Sequence, residues 1–285
     1  MNDLEARRPS VAGQFYAGSP ETLREQIREC FESKLGPGLP PEEHGDEGKV
    51  VGVVVPHAGY AYSGPVAAWS YRALYEDRRP QTFIILGPNH HGMGSGVSIY
   101  PKGAWMTPLG TAVIDEELSA WIVEETKIID PDIRAHQYEH SIEVQIPFLQ
   151  YLYGDIRFVA ISMMLQDLGS AREVGREIGR VLEAGDGKAA VIASTDFSHY
   201  VSPEVAHEND HAVIERIVAM DSPGIYRVVE DRGVSMCGYG PVMAAIEATK
   251  ALGAKAGRLL KYGTSGDVAP MREVVGYASI AFERA

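Results

Sequence analysis

Thr82-Phe83-Ile84-Ile85-Leu86-Gly87-Pro88-Asn89-His90-His91-Gly92 combines a strand signal and a chemical signal in eleven residues. Four consecutive apolar residues have the composition of a strand buried on both faces, as in a parallel sheet covered by helices on either side. Gly87-Pro88 cannot continue a central strand, so the run stops there. Two histidines follow at once. In open α/β sheets the crevice beyond the carboxyl ends of the strands is where ligands bind. The stretch therefore carries imidazoles to that crevice.

The pattern recurs twice. Val50-Val51-Gly52-Val53-Val54-Val55 ends in Pro56-His57-Ala58-Gly59-Tyr60, and Ala189-Ala190-Val191-Ile192-Ala193 ends in Ser194-Thr195-Asp196-Phe197-Ser198-His199. One loop histidine is usually a solvated polar residue. Three strand-like runs that each end in one predict a shared site at the carboxyl edge of the sheet.

Outward from these runs, strand and helix signals alternate along all 285 residues. They predict a single α/β domain, 1–285, with a mostly parallel or mixed central sheet flanked by helices. Ser10 to Tyr16 reads as a docked arm. Ser19-Pro20 reads as an N-cap followed by proline at the first helical position, opening a helix over 20–34 with Leu23, Ile27 and Phe31 on one face. Residues 36–48, rich in proline, glycine and acids, form a linker. A tight aromatic turn over Gly59–Pro65 precedes a helix to about Tyr75, which crosses over to Phe83–Leu86. Residues 93–114 read as a hairpin excursion, and Asp115 caps a helix to about Glu125. Glu139 to Leu149 reads as helical, with His140 and Glu143 on one face and Pro147 as a kink or restart. Further strands fall at 157–162, 258–262 and 274–282. Further helices fall at 171–183, 203–220 and 242–252.

Composition narrows the partners. Lys and Arg number 26 against 39 Asp and Glu, a net charge of −13, whereas a nucleic-acid surface requires a basic patch. Two cysteines, Cys30 and Cys237, are too few for a disulfide framework, and a reducing, cytoplasmic setting is the simplest expectation. No apolar run approaches the ~20 residues of a membrane span. The N-terminal residues lack the apolar core of a signal peptide.

His57, His90 and His199 are available nitrogen donors, and imidazole suits Zn, Cu, Fe or Ni. Cys237 lies among glycines at the expected start of a helix, where the macrodipole favours a thiolate. Cys30, beside the stripe of the 20–34 helix, reads as a packing residue. Asp196 and His199 are three apart, so His199 can serve as a general acid/base oriented by that carboxylate. His207-Glu208-Asn209-Asp210-His211 matches H-E-x-x-H, the helical zinc-protease pattern. Its surroundings are strongly polar, no third ligand follows nearby, and a solvated helix face accounts for it better. No nucleophile elbow and no phosphate-cradling glycine loop are present.

In order, Pro56-His57-Ala58-Gly59-Tyr60, Gly87-Pro88-Asn89-His90-His91, Glu139-His140-Ser141-Ile142-Glu143, Asp196-Phe197-Ser198-His199 and Cys237-Gly238 resemble the motifs of the MEMO family. The resemblance runs from the Ala12–Tyr16 arm to the last strand. It implies a fold like that of the class III extradiol dioxygenases, which use non-haem Fe(II) held by two histidines and a glutamate. It also implies a ligand set of His57, His90 and Cys237, with Asp196, His199 and His140 as pocket residues. A cysteine in place of the carboxylate alters metal preference and redox poise, so shared fold does not carry over dioxygenase activity.

The expectation that follows is a metal-dependent redox enzyme. It would hold Fe(II), with Cu or Zn as alternatives, and act on a small-molecule substrate. The alternative is a non-catalytic module whose pocket captures a peptide or small anion, since eukaryotic relatives are described as phosphotyrosine-peptide adaptors. Prokaryotic relatives often lie beside a radical-SAM gene, which implies a functional link to such a protein.

Overall fold

A computed structural model describes residues 6–185 and 188–285. The first half of the chain contains β1 (Ala6–Arg7), α1 (Pro20–Glu32), β2 (Val50–Val55), α2 (Tyr60–Asp77), β3 (Thr82–Pro88), β4 (Val97–Ile99), β5 (Ala104–Thr107), β6 (Gly110–Ile114), α3 (Glu116–Glu125), β7 (Asp130–Pro131) and α4 (Ile146–Tyr153). The second half contains β8 (Arg157–Met163), α5 (Leu168–Ala184), β9 (Ala189–Ser194), β10 (His199–Val201), α6 (Pro203–Val218), α7 (Ser222–Arg232), α8 (Tyr239–Ala251), β11 (Ala254–Thr264), α9 (Ser265–Val268) and β12 (Val274–Arg284).

The strands form one mixed sheet, ordered β1-β5-β6-β8-β3-β9-β2-β12-β10, with β11 paired to β12. The centre, β8-β3-β9-β2, is parallel, and β12 runs antiparallel to β2. The crossover from β2 through α2 does not deliver β3 next to β2. It leaves a gap of one strand, which β9 fills more than a hundred residues later. The three strands that end in candidate site residues are therefore immediate neighbours.

Residues of these strands alternate between opposite cores, as period-two geometry requires, except at Val51, beside a register shift in the pairing of β2 with β12. Val51 and Val54 of β2, Ile84 and Leu86 of β3, and Val191 and Ala193 of β9 pack with α5, α7 and α8. Val53, Val55, Phe83, Ile85, Ala190 and Ile192 pack with α1, α2 and α4. This double burial is why the strands read as continuous apolar runs.

Two local expectations are corrected, and one helix lies in a stretch to which no element was assigned from sequence. Gly59–Pro65 is not a separate turn, because α2 begins at Tyr60 and runs through Pro65. Tertiary contacts set that start: Tyr60 N donates to Phe15 O at 2.7 Å and its hydroxyl to Val144 O at 2.6 Å. The polar stretch after Met220 folds as α7, which opens on the Asp221 side chain and closes on Gly233 in the left-handed conformation. Residues 139–142 are not helical. A short 3-10 turn, Glu143–Gln145, leads into α4, which has Pro147 in its first turn. Proline lacks the N–H a longer helix needs and would crowd the carbonyl four residues back.

His140 and Glu143 consequently do not share a helix face. Glu143 instead docks the N-terminal arm. Its carboxylate accepts from Arg7 Nη1 (2.7 Å), Ser10 N (2.8 Å), Val11 N (3.0 Å) and the Tyr16 hydroxyl (2.7 Å).

Candidate metal centre

His57 follows β2 and is buried, with only 2% of its surface exposed. Its backbone N–H donates to Asp196 Oδ1 at 2.8 Å, and its Nδ1 lies 2.9 Å from Ser194 Oγ. Proton bookkeeping fixes the tautomer. The Ser194 hydroxyl spends its one hydrogen on Ser141 O (2.7 Å) and accepts from Gln145 Nε2 (2.8 Å). It can therefore only accept from His57 Nδ1–H, which leaves the lone pair on Nε2.

His90 follows β3. Its Nδ1 lies 2.9 Å from Glu139 Oε1, and its backbone N–H donates to Glu139 Oε2 at 2.6 Å. An ionised carboxylate only accepts, so here too Nε2 is left as the donor atom. Gly87 makes this approach possible, because a Cβ there would sit 2.5 Å from Ser141 Oγ.

His140, on the loop the sequence disguises as helix, stacks on His90 with ring centroids 4.7 Å apart. The His57 ring stands nearly perpendicular to both, 5.2 Å from His90 and 5.5 Å from His140. One ring nitrogen from each of the three falls within 4.8 Å of the others. His91, Glu139 and His140 form a second grouping by the same measure, with His91 exposed.

Cys237 enters from the other side. Its Sγ is 3.2 Å from His57 Nε2 and accepts from Asp196 N at 3.2 Å. Gly238 permits this, because a Cβ there would lie 2.5 Å from Ser194 O. Cys237 touches His57 but belongs to neither grouping of three donors among the described residues. The thiolate expected from the α8 dipole is not favoured here. Desolvation of the thiol, reinforced by the negative charge of Asp196, pushes its pKa well up. Cys30 is buried in the core, 4% exposed, as a packing residue.

Electrostatics keep the pocket imidazoles apart in character. Burial, then the neighbouring His140 and His90, holds His57 well below the ordinary histidine value. Burial likewise lowers His140 to about 4, against the pull of Glu139. Burial also acts to lower His90, but its hydrogen bond and charge contact with Glu139 together reverse this and raise it. Burial pushes Asp196 up to about 6, opposed by the His57 N–H it accepts.

Asp196 and His199 both lie at the end of β9, as expected, but Asp196 does not orient the imidazole. Its carboxylate accepts the His57 backbone N–H. His199 is held instead by Ser235: its Nδ1 lies 2.8 Å from Ser235 O, and its N–H donates to Ser235 Oγ at 2.7 Å. A carbonyl accepts only, so His199 also presents Nε2. The turn is braced from α6 by Asp210, which accepts Ser198 N at 2.9 Å and the Tyr262 hydroxyl at 2.8 Å. That buried aspartate is the residue of the H-E-x-x-H match that supports the site, whereas His207 is exposed and His211 half-buried on the helix surface.

Sequence patterning missed Ser194, Glu139 and Ser235 as the groups that orient the histidines. A faint signal existed for two of them: Ser194 occupies the last position of an otherwise apolar strand, and Glu139 directly precedes His140.

Fold and site together define an α/β protein with a histidine-lined candidate metal pocket at the carboxyl edge of its sheet. The Memo-like protein family matches residues 7–281, and the chain belongs to that family. A MEMO1 family protein of Methanopyrus kandleri is 52% identical over 280 residues, spanning 98% of this chain and 99% of its own. One of Methanothermobacter thermautotrophicus is 50% identical over 276 residues, spanning 96% and 99%. The crystal structure of an uncharacterized protein from Escherichia coli K12 superposes with a TM-score of 0.53 at 15% identity. It covers 82% of this chain and 100% of that one, a likeness of fold. No helix among the described residues is long and apolar enough to cross a membrane.

Proposed function

We propose that the chain is a metal-dependent redox enzyme whose pocket holds Fe(II), with copper or zinc as the competing ions, on His57, His90 and Cys237, with His140 alongside. The observation that carries this reading is the 3.2 Å approach of Cys237 Sγ to the unprotonated Nε2 of His57, at the place where His90 and His140 converge. The donor set fits a transition metal. Neutral imidazole is the ligating form, and the low pKa values of His57 and His140 keep it available. The Cys237 proton must leave on binding, so an ion would gain a thiolate that the metal-free pocket disfavours.

When bound, iron or copper would supply Lewis-acid and one-electron redox chemistry, and zinc Lewis-acid chemistry alone. The surrounding residues do the rest. Ser194 and Glu139 fix the imidazoles that face the ion. His199, held by Ser235, presents a free Nε2 for proton transfer. Asp196, with its carboxyl near 6, can hold or release a proton close to neutral pH. The substrate in this reading is a small molecule.

Anaerobic purification from iron-replete cells, followed by metal analysis, tests the proposal. About one iron per chain is expected, and admitting O₂ should oxidise it faster than free Fe(II) in the same buffer. A metal-free chain, or one that takes up zinc alone under these conditions, would overturn the redox reading.

A further inference from the structure

Glu139 is fully buried, and both its oxygens are engaged. Oε1 accepts from His90 Nδ1 (2.9 Å), His140 N (2.9 Å) and Ser141 N (2.8 Å), while Oε2 accepts from His90 N (2.6 Å). A carboxylate has about four lone-pair sites, and four N–H groups already point at this one. Three of them crowd Oε1, the oxygen that lies 3.5 Å from His140 Nδ1, so that oxygen has no lone pair left to offer an ion. The outer grouping of His91, Glu139 and His140 therefore lacks its carboxylate ligand, although its atoms lie close enough.

We infer that Glu139 is a positioning residue that locks His90 in the Nδ1–H tautomer and aims Nε2 into the pocket. It thereby selects the inner pocket, where His57 and His90 converge with Cys237 and His140 alongside, over the outer grouping as the place where an ion binds. The tautomer half stands on hydrogen bonds alone; the selection half rests on the metal reading above. The same carboxylate also caps the backbone of residues 140 and 141, so one group sets both the direction of His90 and the loop on which His140 stacks against it.

Nitrogen-15 NMR of the imidazoles in metal-free protein at mildly alkaline pH tests the first half, with His90 assigned by comparison with His90→Gln. Wild type should show His90 almost wholly as the Nδ1–H tautomer. Glu139→Gln replaces one accepting oxygen with an NH₂ that meets an N–H head-on, and should leave a mixture. Anaerobic titration with Fe(II), and with Co(II) as a spectroscopic probe, should show affinity lowered about 10- to 100-fold in the variant. Thermal unfolding should remain cooperative.

A wild-type His90 found mainly as the Nε2–H tautomer would overturn the inference without any variant, even if Glu139→Gln fails to fold. So would a folded Glu139→Gln with unchanged tautomer and unchanged affinity. A wild type with the expected tautomer that takes up neither ion upholds the positioning of His90 and sinks the metal reading.

Discussion

Two parts of the molecule bring histidines together, and they do so differently. On α6, His207 and His211 stack with ring centroids 3.9 Å apart, closer than any pair in the pocket. The helix alone arranges this, since residues four apart share a face. His211 Nδ1 reaches His207 O at 2.9 Å, His207 is exposed and His211 half-buried, and no carboxylate or hydroxyl side chain orients them by a hydrogen bond among the described residues. In the pocket, His57, His90 and His140 come from separate loops. Ser194 and Glu139 orient two of them from the buried side. Proximity is cheap on a helix; burial with a fixed tautomer takes the whole sheet. The second arrangement is the one that can define a metal site.

A third kind of histidine sharpens the contrast and gives the largest expected effect on stability. His136 is fully buried, and among the described residues neither ring nitrogen makes a well-formed hydrogen bond. Burial, then the nearby Arg7 charge, lowers its pKa to about 3. Its folded pKa lies below the ordinary 6.5, so the unfolded chain binds the extra proton. Stability should be full above about pH 6.5 and fall as pH drops toward 3. The loss attributable to this group is on the order of 3 kcal/mol at pH 4 at most. Denaturant melts of wild type and His136→Phe across that window check it. The variant should lose distinctly less stability on acidification, and parallel curves would remove His136 as the cause.

The strands that frame the pocket were legible in the sequence because each is buried on two faces and ends at proline or a polar turn. Val50–Val55, Phe83–Leu86 and Ala189–Ala193 needed no other signal. Their convergence was legible only as a coincidence of three histidines, because the position of β9 between β2 and β3 is a long-range pairing that no local pattern records. His140 was found as a residue but placed on a helix. The turn that displays it is held by the Glu139 side chain, an interaction that helical spacing conceals. Asp196 was placed correctly at the end of β9. Its bond to the His57 backbone, rather than to His199, depends on register between neighbouring strands.

A smaller effect is expected at Cys237, where the pocket departs from an all-histidine arrangement. Cys237→Ser keeps the size and removes the soft donor. Affinity for Fe(II) or Cu should fall by roughly tenfold, or about 1.4 kcal/mol, with the melting curve little changed. Added metal should also slow alkylation of Cys237 in the wild type, while buried Cys30 stays unlabelled with or without it. Mass-spectrometric mapping of the labelled cysteines reads this directly. Unchanged affinity in Cys237→Ser, or equal labelling of Cys237 with metal bound, would remove the thiolate from the ligand set.

The smallest effect belongs to α6. His207→Ala/His211→Ala removes the tightest histidine pair and should leave the content of tightly bound metal unchanged, with stability within about 0.5 kcal/mol of wild type. A lost equivalent of metal would mean that the helix pair is a site in its own right.

Metal content measured side by side tests the central claim most directly. Wild type, His57→Ala/His90→Ala and His207→Ala/His211→Ala are purified anaerobically from the same iron-replete cells and analysed by mass spectrometry. The pocket predicts about one metal per chain in wild type and in the α6 variant, and less than about a tenth of that in His57→Ala/His90→Ala. Equal metal in wild type and the folded pocket variant would contradict it.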